Sequence, residues 1–184
     1  MLTINEYRKV ESLEEAYELN QKKNNKIIAG GVWMKIGDRR IATAIDLSGL
    51  GLDQITETDT EFVIGAMTTL REIEKHAGLA AYTDGAIRES VRHIVGVQFR
   101  NCATVGGSIF GRFGFSDVLT VFLAMDTQVE LYHAGMVSLK EFIDMPYDND
   151  ILVALHVAKK PIRIAYLSQR NTATEFSGGC LCSV

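Results

Sequence analysis

Two Gly-Gly pairs, each placed directly after a short apolar segment, constrain this chain more than any other feature of its sequence. The first lies in "KIIAGGVWMKI" and the second in "RNCATVGGSI". Paired glycines allow positive φ and bring the backbone within hydrogen-bonding distance of a ligand. Successive N–H groups in such turns bind anions, so both pairs are candidate phosphate cradles. On spacing alone a tight turn is the commoner explanation, and neither pair fits the G-x-G-x-x-G or G-x-x-x-x-G-K-[ST] pattern.

The first part of the chain alternates predicted helices and strands. The spacing of Ser12 and Glu15 predicts a capping box at the start of a helix in "ESLEEAYELNQKKNN", and Thr69 with Glu72 predicts a second one, with Gly78 past the helix end. Strands are predicted for "KIIA", "ATAIDLSGL" and "EFVIGAM". Short connections between these elements indicate a small α/β layer.

The second half is predicted to be α+β with antiparallel pairing. A helix in "DGAIRESVRHIVG" is followed by the glycine-rich segment as a loop, and then by a largely apolar helix in "SDVLTVFLAMD". The segment "TQVELYH" alternates as a strand, and "SLKEFIDM" is typical of a short helical turn. Two further strands, "DILVALHVAKK" and "IRIAYLSQR", are predicted to form a hairpin around Pro161.

Charge and composition exclude several classes of partner. The 184 residues carry a net charge of −4, with basic residues scattered, which argues against nucleic acid or an anionic membrane. The apolar runs are far shorter than the ~20 residues that span a bilayer, and the polar start indicates no signal peptide. Three cysteines, an odd number, are typical of a reducing setting, so we expect a cytoplasmic protein.

Side chains outside the glycine segments indicate no metal site and no catalytic constellation. The four histidines are far apart in sequence, and Cys180 and Cys182 are too few for a zinc site. We interpret both as core thiols near the chain end, and Cys102 as a packing residue. Asp117 follows Ser116 at the start of the apolar helix, where it accepts hydrogen bonds from a ribose or complements the helix dipole with Ser116 as N-cap. Residue type alone favours the second explanation.

Four segments resemble the FAD-binding subunit or domain of the molybdenum hydroxylases, the xanthine dehydrogenase and carbon monoxide dehydrogenase family. "KIIAGGVWMKI" is similar to the first flavin loop, in which an A-G-G turn follows a strand. "RNCATVGGSI" is similar to the second loop, whose pattern is R-N-x-A-T-[IV]-G-G-[NS]. "SDVLTVFLAMDTQVEL" resembles the helix and strand that follow, and "FVIGAMTTLREIEKH" resembles the segment between the loops. The resemblance covers almost the whole chain.

The resemblance implies an α+β fold, the two-subdomain FAD-binding fold of the molybdopterin dehydrogenase (PCMH-like) type. Residues 1–66 would form a small α/β N-terminal flavin-binding subdomain. Residues 67–160 would form a larger α+β subdomain with an antiparallel sheet, and residues 161–184 the start of a C-terminal domain that is cut short. The cofactor implied is FAD, bound by backbone and side chains of both loops and of the following helix. The implied cofactor-binding residues are Ala29, Gly30, Gly31, Val32, Trp33, Met34, Thr104, Val105, Gly106, Gly107, Ser108 and Asp117.

The first loop departs from the family pattern at two positions. Val32 and Trp33 stand where the family usually has a small polar residue and then Asp, Asn or Ser. Side-chain hydrogen bonds to FAD from these positions are therefore lost, whereas backbone contacts survive. Trp33 either packs on an aromatic ring or serves as a plain hydrophobic anchor.

The implied function is electron transfer by an oxidoreductase subunit that is not catalytically complete alone. Electrons from partner 2Fe–2S clusters would pass through FAD to NAD+ or another acceptor, and no side chain need act as acid or base. The implied partners are a molybdopterin-binding large subunit and a 2Fe–2S small subunit in a hetero-oligomer, with self-association of the isolated chain. A degenerate, flavin-free scaffold subunit of such a complex is the alternative. A stand-alone flavin oxidase is less favoured, because no separate substrate domain is evident.

Overall fold

The amino-terminal part of the chain forms a three-stranded parallel sheet in the computed structural model, which describes residues 1–172 and 175–183. Its order is β1 (Thr3–Lys9), β3 (Arg40–Asp46) and β2 (Lys26–Ile28), and helix α1 (Leu13–Asn20) packs on β3. The hydroxyl of Ser12 caps α1 by accepting a hydrogen bond from the Glu15 N–H, whereas the Glu15 carboxylate accepts from the Glu11 N–H, so only the Ser12 half of the predicted capping box is seen in the described residues. The sequence did not indicate β1, because all seven of its residues are exposed and no apolar alternation marks it.

A five-stranded antiparallel sheet forms the larger layer, in the order β4-β5-β8-β6-β7. Its central strand is β8, in which Leu155 and Val157 are fully buried. The predicted α+β fold with an antiparallel sheet is confirmed. The five strands are β4 (Ile55–Glu57), β5 (Glu61–Gly65), β6 (Thr127–Leu131), β7 (Gly135–Ser138) and β8 (Leu152–Ala158).

The predicted hairpin around Pro161 is wrong. Strand β8 pairs with β5 and β6, whereas β9 (Ala165–Gln169) pairs with β10 (Gly179–Ser183) in a separate two-stranded antiparallel sheet. Residues 159–164 form no strand and carry the chain away from the sheet, so β9 packs against helix α4 (Ala86–Arg92) instead. Both edges of β8 are already paired, one with β5 and one with β6, so β8 has no free edge on which β9 could pair.

Helices cover one side of the antiparallel sheet. The capping box of Thr69 and Glu72 is confirmed at the start of α2. Gly78, however, lies inside the next helix, because the His76 side chain caps a new helix by accepting a hydrogen bond from the Leu79 N–H. The other helices are α2 (Leu70–Lys75), α3 (Ala77–Tyr82), α5 (Val97–Cys102), α6 (Val105–Phe110), α7 (Asp117–Leu123) and α8 (Leu139–Asp144), with a 3-10 turn at Met34–Ile36.

Two hydrophobic cores hold the sheets in place. The larger lies between the antiparallel sheet and its helices, around the fully buried Phe62 and Phe122. The smaller lies beneath α1 and combines Val10 and Ile45 of the parallel sheet with Ile151, which precedes β8. Because Ile151 belongs to the antiparallel part, the smaller core ties the two sheets together and fixes the two glycine segments relative to one another.

The two sheets divide between Asp46 and Ile55. Strands β4 and β5 therefore belong to the antiparallel sheet, although they lie within the range 1–66 that the sequence assigns to the N-terminal subdomain. The three ranges 1–66, 67–160 and 161–184 concern folding units, which strand pairing does not test, and they stay a prediction. Within the described residues, no helix has the length and apolar character needed to cross a membrane.

Candidate cofactor site

The first glycine loop, residues 29–34, lies directly against the end of helix α5. A Cβ added to Gly30 would lie 1.8 Å from the carbonyl oxygen of Cys102 and 3.0 Å from the amide nitrogen of Ala103. Cys102 and Ala103 lead directly into the second glycine pair. The absence of a side chain at Gly30 therefore lets the first loop meet the end of α5, directly ahead of the second glycine pair.

The backbone N–H groups of the first loop have no acceptor among the described residues. From Gly30 to Met34, none of them donates a hydrogen bond to any residue within 1–172 or 175–183. Gly31 has a φ of +65°, and Trp33 returns to right-handed helical values with φ −75° and ψ −37°. Left-handed backbone close to right-handed helical backbone is one feature of turns whose N–H groups bind anions.

The second glycine pair lies in a helix, so the predicted glycine-rich loop is wrong over residues 105–110. Thr104 is the N-cap of α6, and its hydroxyl accepts a hydrogen bond from the Gly107 N–H at 3.1 Å. The Ser108 N–H and hydroxyl both donate to the Thr104 carbonyl, at 3.1 and 2.9 Å. A threonine cap offsets the low helix propensity of the paired glycines. The N–H groups of Gly107 and Ser108, which were predicted to face a phosphate, are thus engaged within the first turn of α6.

Gly106 has a packing role that the sequence did not reveal. Its N–H donates to the Ala66 carbonyl at 2.9 Å, and the Val105 N–H donates to the Thr68 carbonyl at the same distance. A Cβ on Gly106 would lie 2.6 Å from the Ala66 carbonyl oxygen. Gly106 therefore lets α6 approach the end of β5, whereas Gly107 is exposed. Contact of Thr104, Val105, Gly106, Gly107 and Ser108 with a cofactor stays a prediction.

Asp117 occupies the first position of α7, with Ser116 as the N-cap. It is buried, and its two carboxylate oxygens accept different donors. The Tyr166 hydroxyl donates to Oδ1 at 2.5 Å, and Arg170 Nη2 forms an ion pair with Oδ2 at 2.6 Å. The sequence analysis missed both partners, although residues four apart along a strand share one face, and that periodicity could have paired them. Asp117 thus fastens β9 to α7.

Four exposed aromatic side chains, Trp33, Phe113, Phe115 and Phe176, lie beside the first loop and are called the aromatic cluster below. The Trp33 ring centre lies 5.7 Å from Phe113, 6.1 Å from Phe115 and 5.6 Å from Phe176. Phe115 also contacts Phe113 at 5.1 Å and Phe176 at 4.6 Å. Trp33 therefore packs on aromatic rings of the chain itself while remaining 47% exposed, and its contact with a cofactor stays a prediction.

The part of the chain that the structure describes contains no metal site, and two of the three cysteines have described side chains. Among the residues that the structure describes, no three His, Cys, Asp or Glu side chains are placed to hold a metal ion. Cys102 is exposed, so its interpretation as a packing residue is wrong. Cys182 is half-buried, and burial raises the pKa of its thiol, which fits the interpretation as a core thiol. The side chain of Cys180 lies outside the described residues.

Comparison with known proteins gives this geometry a context. The family described as "FAD binding domain in molybdopterin dehydrogenase" matches residues 3–160. Among curated proteins, the uncharacterized protein YgfM of Escherichia coli (strain K12) is 27% identical over 168 residues, covering 87% of this chain and 61% of YgfM. The protein of the same name from Escherichia coli O157:H7 gives the same values. The chain thus spans about three fifths of the length of the curated relatives it matches.

Solved structures confirm the type of fold. A chain of the cyanide-inactivated Cu,Mo-CO dehydrogenase superimposes with a TM-score of 0.87 at 23% identity, covering 99% of this chain and 69% of that one. A chain of quinoline 2-oxidoreductase from Pseudomonas putida 86 gives a TM-score of 0.83 at 17% identity, covering 94% and 65%. At these identities the likeness establishes the fold, which is the one the sequence resemblance implied.

Proposed function

Because the chain belongs to the family of FAD-binding domains of molybdopterin dehydrogenases, we propose that it is the FAD-binding electron-transfer subunit of a molybdenum hydroxylase-type complex. FAD is the cofactor of this family's domain. The observation in this chain that carries the proposal is the turn from Gly30 to Met34, whose N–H groups have no acceptor among the described residues. Backbone N–H groups without protein acceptors beside a left-handed residue are a feature of anion-binding turns, which supports a ligand here.

Each part of the site has a separate task in this proposal. The first loop binds the pyrophosphate through its backbone N–H groups, with Gly31 holding the left-handed conformation that aims them. The first turn of α6 lies beside the first loop as a rigid surface, because the N–H groups of α6 are already hydrogen-bonded within the protein. Asp117 accepts a hydrogen bond from the cofactor's sugar or ribityl region beside Tyr166 and Arg170, since a carboxylate offers about four acceptor positions.

Bound FAD would supply the redox chemistry, accepting electrons from 2Fe–2S clusters of a partner and releasing them to NAD+ or another acceptor. The proposed partners are a molybdopterin-binding large subunit and a 2Fe–2S small subunit in a cytoplasmic hetero-oligomer. Similarity to a chain of CO dehydrogenase supports the type of complex. The organic substrate would never contact this chain, so no side chain here is assigned to acid, base or nucleophile.

A flavin-free scaffold subunit is the second candidate. Two observations favour it. Val32 and Trp33 stand where the family pattern has a small polar residue and then Asp, Asn or Ser, and the N–H groups of the second glycine segment bond within the protein. The two candidates differ in one measurable property, the affinity for FAD, so the same experiment separates them.

The experiment compares two glycine-to-alanine variants, both at residues with left-handed backbone, so the strain that the added Cβ causes should be similar in the two. Gly31 and Gly51 have φ values of +65° and +69°, and an added Cβ would find its nearest neighbour at 3.9 Å in the first case and nothing within 4 Å in the second. Each substitution should lower the free energy of unfolding by about 1 kcal/mol, the usual cost of a side chain in left-handed backbone. Only Gly31→Ala should weaken FAD binding, by about tenfold or more, because strain at residue 31 turns the N–H groups away from the phosphates.

FAD binding is measured by the visible spectrum of the purified protein and by equilibrium dialysis with added FAD. A yellow wild-type protein with a selective defect in Gly31→Ala supports the proposal. A colourless wild-type protein that takes up no FAD establishes the scaffold instead. Equal FAD affinity in Gly31→Ala and Gly51→Ala would remove the first loop from the site.

A further inference from the structure

We propose that the aromatic cluster is a stacking surface for a planar ring of the dinucleotide cofactor, either its isoalloxazine or its adenine. This inference rests on the proposed FAD binding and adds side chains that the family pattern does not predict. Three separate parts of the chain supply the rings: Trp33 from the first loop, Phe113 and Phe115 from the α6–α7 connection, and Phe176 from the segment between β9 and β10.

The cluster is too exposed to be part of the core. Its side chains range from 37% exposed at Phe115 to 56% at Phe176, and all four contact at least one other member. Large apolar side chains from distant segments that converge on the surface mark a binding site more often than chance exposure. The arrangement therefore needs a ligand or partner that covers it.

The ring geometry leaves Trp33 able to stack on something else. Its planes make angles of 58° with Phe113, 50° with Phe115 and 80° with Phe176. Within the described residues, every ring in contact with Trp33 is thus tilted or edge-on. Phe113 and Phe115, in contrast, stack at 10°. Offset stacking on the indole face is a favourable arrangement for a planar aromatic ligand.

Continuity with the first loop identifies the occupant as the cofactor. The Trp33 N–H is itself one of the groups without an acceptor in the turn from Gly30 to Met34. A phosphate bound there would be held by the same residue whose indole forms the cluster. FAD carries a planar ring on each side of its pyrophosphate, so a ring of the same molecule is the nearest available apolar, aromatic group. Loss of the family's polar side chain at position 33 is then compensated by stacking.

The test measures FAD affinity in Trp33→Leu, Trp33→Phe and Phe176→Leu variants of the full chain. We expect Trp33→Leu to bind FAD about tenfold more weakly, on the scale of a base stacked on an aromatic side chain, and Trp33→Phe to bind close to wild type. Phe176→Leu should also weaken binding. Tyr132→Leu is the matched control, because Tyr132 is similarly exposed at 38% and contacts Tyr17 instead. Circular dichroism and thermal melts establish that each variant is folded.

FMN and ADP as competing ligands distinguish the two rings. A loss of FMN affinity in Trp33→Leu assigns the isoalloxazine to the cluster, and a loss of ADP affinity assigns the adenine. Trp33 is the only tryptophan, so a change in its fluorescence on addition of ADP, which does not absorb at the emission wavelength, reports directly on this contact.

Unchanged FAD affinity in Trp33→Leu would overturn the stacking role while leaving FAD binding itself intact. Trp33→Leu that alters only the oligomeric state in gel filtration would overturn it too, and would assign the cluster to a contact between copies of the chain. A wild-type protein that binds no FAD would refute the proposed function, and this inference with it. These outcomes are distinguishable because the wild-type titration is independent of every variant.

Discussion

Replacement of Asp117 by asparagine tests how β9 is held to the rest of the fold. Asp117 and Arg170 form a buried ion pair, with side-chain exposures of 7% and 11% and a distance of 2.6 Å. The substitution keeps the shape of the side chain but removes its charge. Arg170 then keeps the Glu175 carbonyl, 2.6 Å from Nη1, as an acceptor. Among the described residues, the buried Nε of Arg170 has no acceptor to compensate the loss.

The expected loss in the free energy of unfolding is about 3 kcal/mol. Removal of one partner from a buried ion pair costs about 3–5 kcal/mol, because the remaining charge stays desolvated. The low end applies here, since asparagine still accepts one hydrogen bond and Arg170 keeps one carbonyl. An acid that only complements the helix dipole would contribute about 0.3–1 kcal/mol to the free energy of unfolding. The measured loss therefore distinguishes a buried ion-pair partner from an acid that acts only on the helix dipole.

Urea unfolding followed by circular dichroism measures this loss, with Asp126→Asn as the matched control. Asp126 also forms an ion pair, with Lys160, but both side chains are more than half exposed, so a much smaller loss is expected. A double-mutant cycle with Arg170→Met isolates the pair, and we expect a coupling energy of about 2 kcal/mol. A loss below 1 kcal/mol in Asp117→Asn, additive with Arg170→Met, would refute the reasoning.

Two further predictions concern packing and pH. Gly106→Val should lower the free energy of unfolding by about 3 kcal/mol, because its Cβ would lie 2.6 Å from the Ala66 carbonyl oxygen. Gly107→Val should stay folded, because its Cβ would lie 3.2 Å from the nearest neighbour. Equal melting temperatures of the two variants would contradict this prediction. Burial raises the pKa of Glu74, but hydrogen bonds from Arg100 and a neighbouring arginine outweigh it and hold that pKa below its ordinary value. The ion pair of Glu74 with Arg100 therefore stabilises the fold fully above the unfolded pKa of about 4.3, and this stabilisation is lost as the pH falls through the folded pKa. The difference in free energy of unfolding between wild type and Glu74→Gln, measured by urea unfolding, should therefore vanish at low pH.

Elements specified by neighbouring residues were predictable from the sequence. The caps at Ser12 and Thr69 each depend on a residue three positions away, so the helices that they begin were located. Strands β1, β4 and β7 were missed, because edge strands carry no buried run of apolar residues. The hairpin around Pro161 was wrong, because pairing of β8 with β5 and β6 depends on segments far away in the chain.

In the candidate site, too, features specified by neighbouring residues could be predicted, whereas contacts between distant segments could not. The turn at Gly30 and Gly31 could be predicted from local glycine pairing, and the resemblance supplied the family, the fold and the cofactor. The contact of Gly30 with Cys102, the packing of Gly106 on Ala66 and the convergence of the aromatic cluster are all tertiary contacts, which no local pattern encodes. The structure thus adds reasons for glycine at positions where the sequence indicated only backbone freedom.

The unequal hydrogen bonding of the two glycine segments has a consequence for how a ligand would enter. The N–H groups from Gly30 to Met34 have no partner to give up within the described residues, so an arriving anion displaces only water. The first turn of α6 is already fixed by its own bonds and loses little conformational entropy when a ligand arrives. Most of the enthalpy of binding would thus come from the turn at Gly30 to Met34, while the first turn of α6 contributes preorganisation. The barrier to association would be set by desolvation of the turn rather than by rearrangement of the fold.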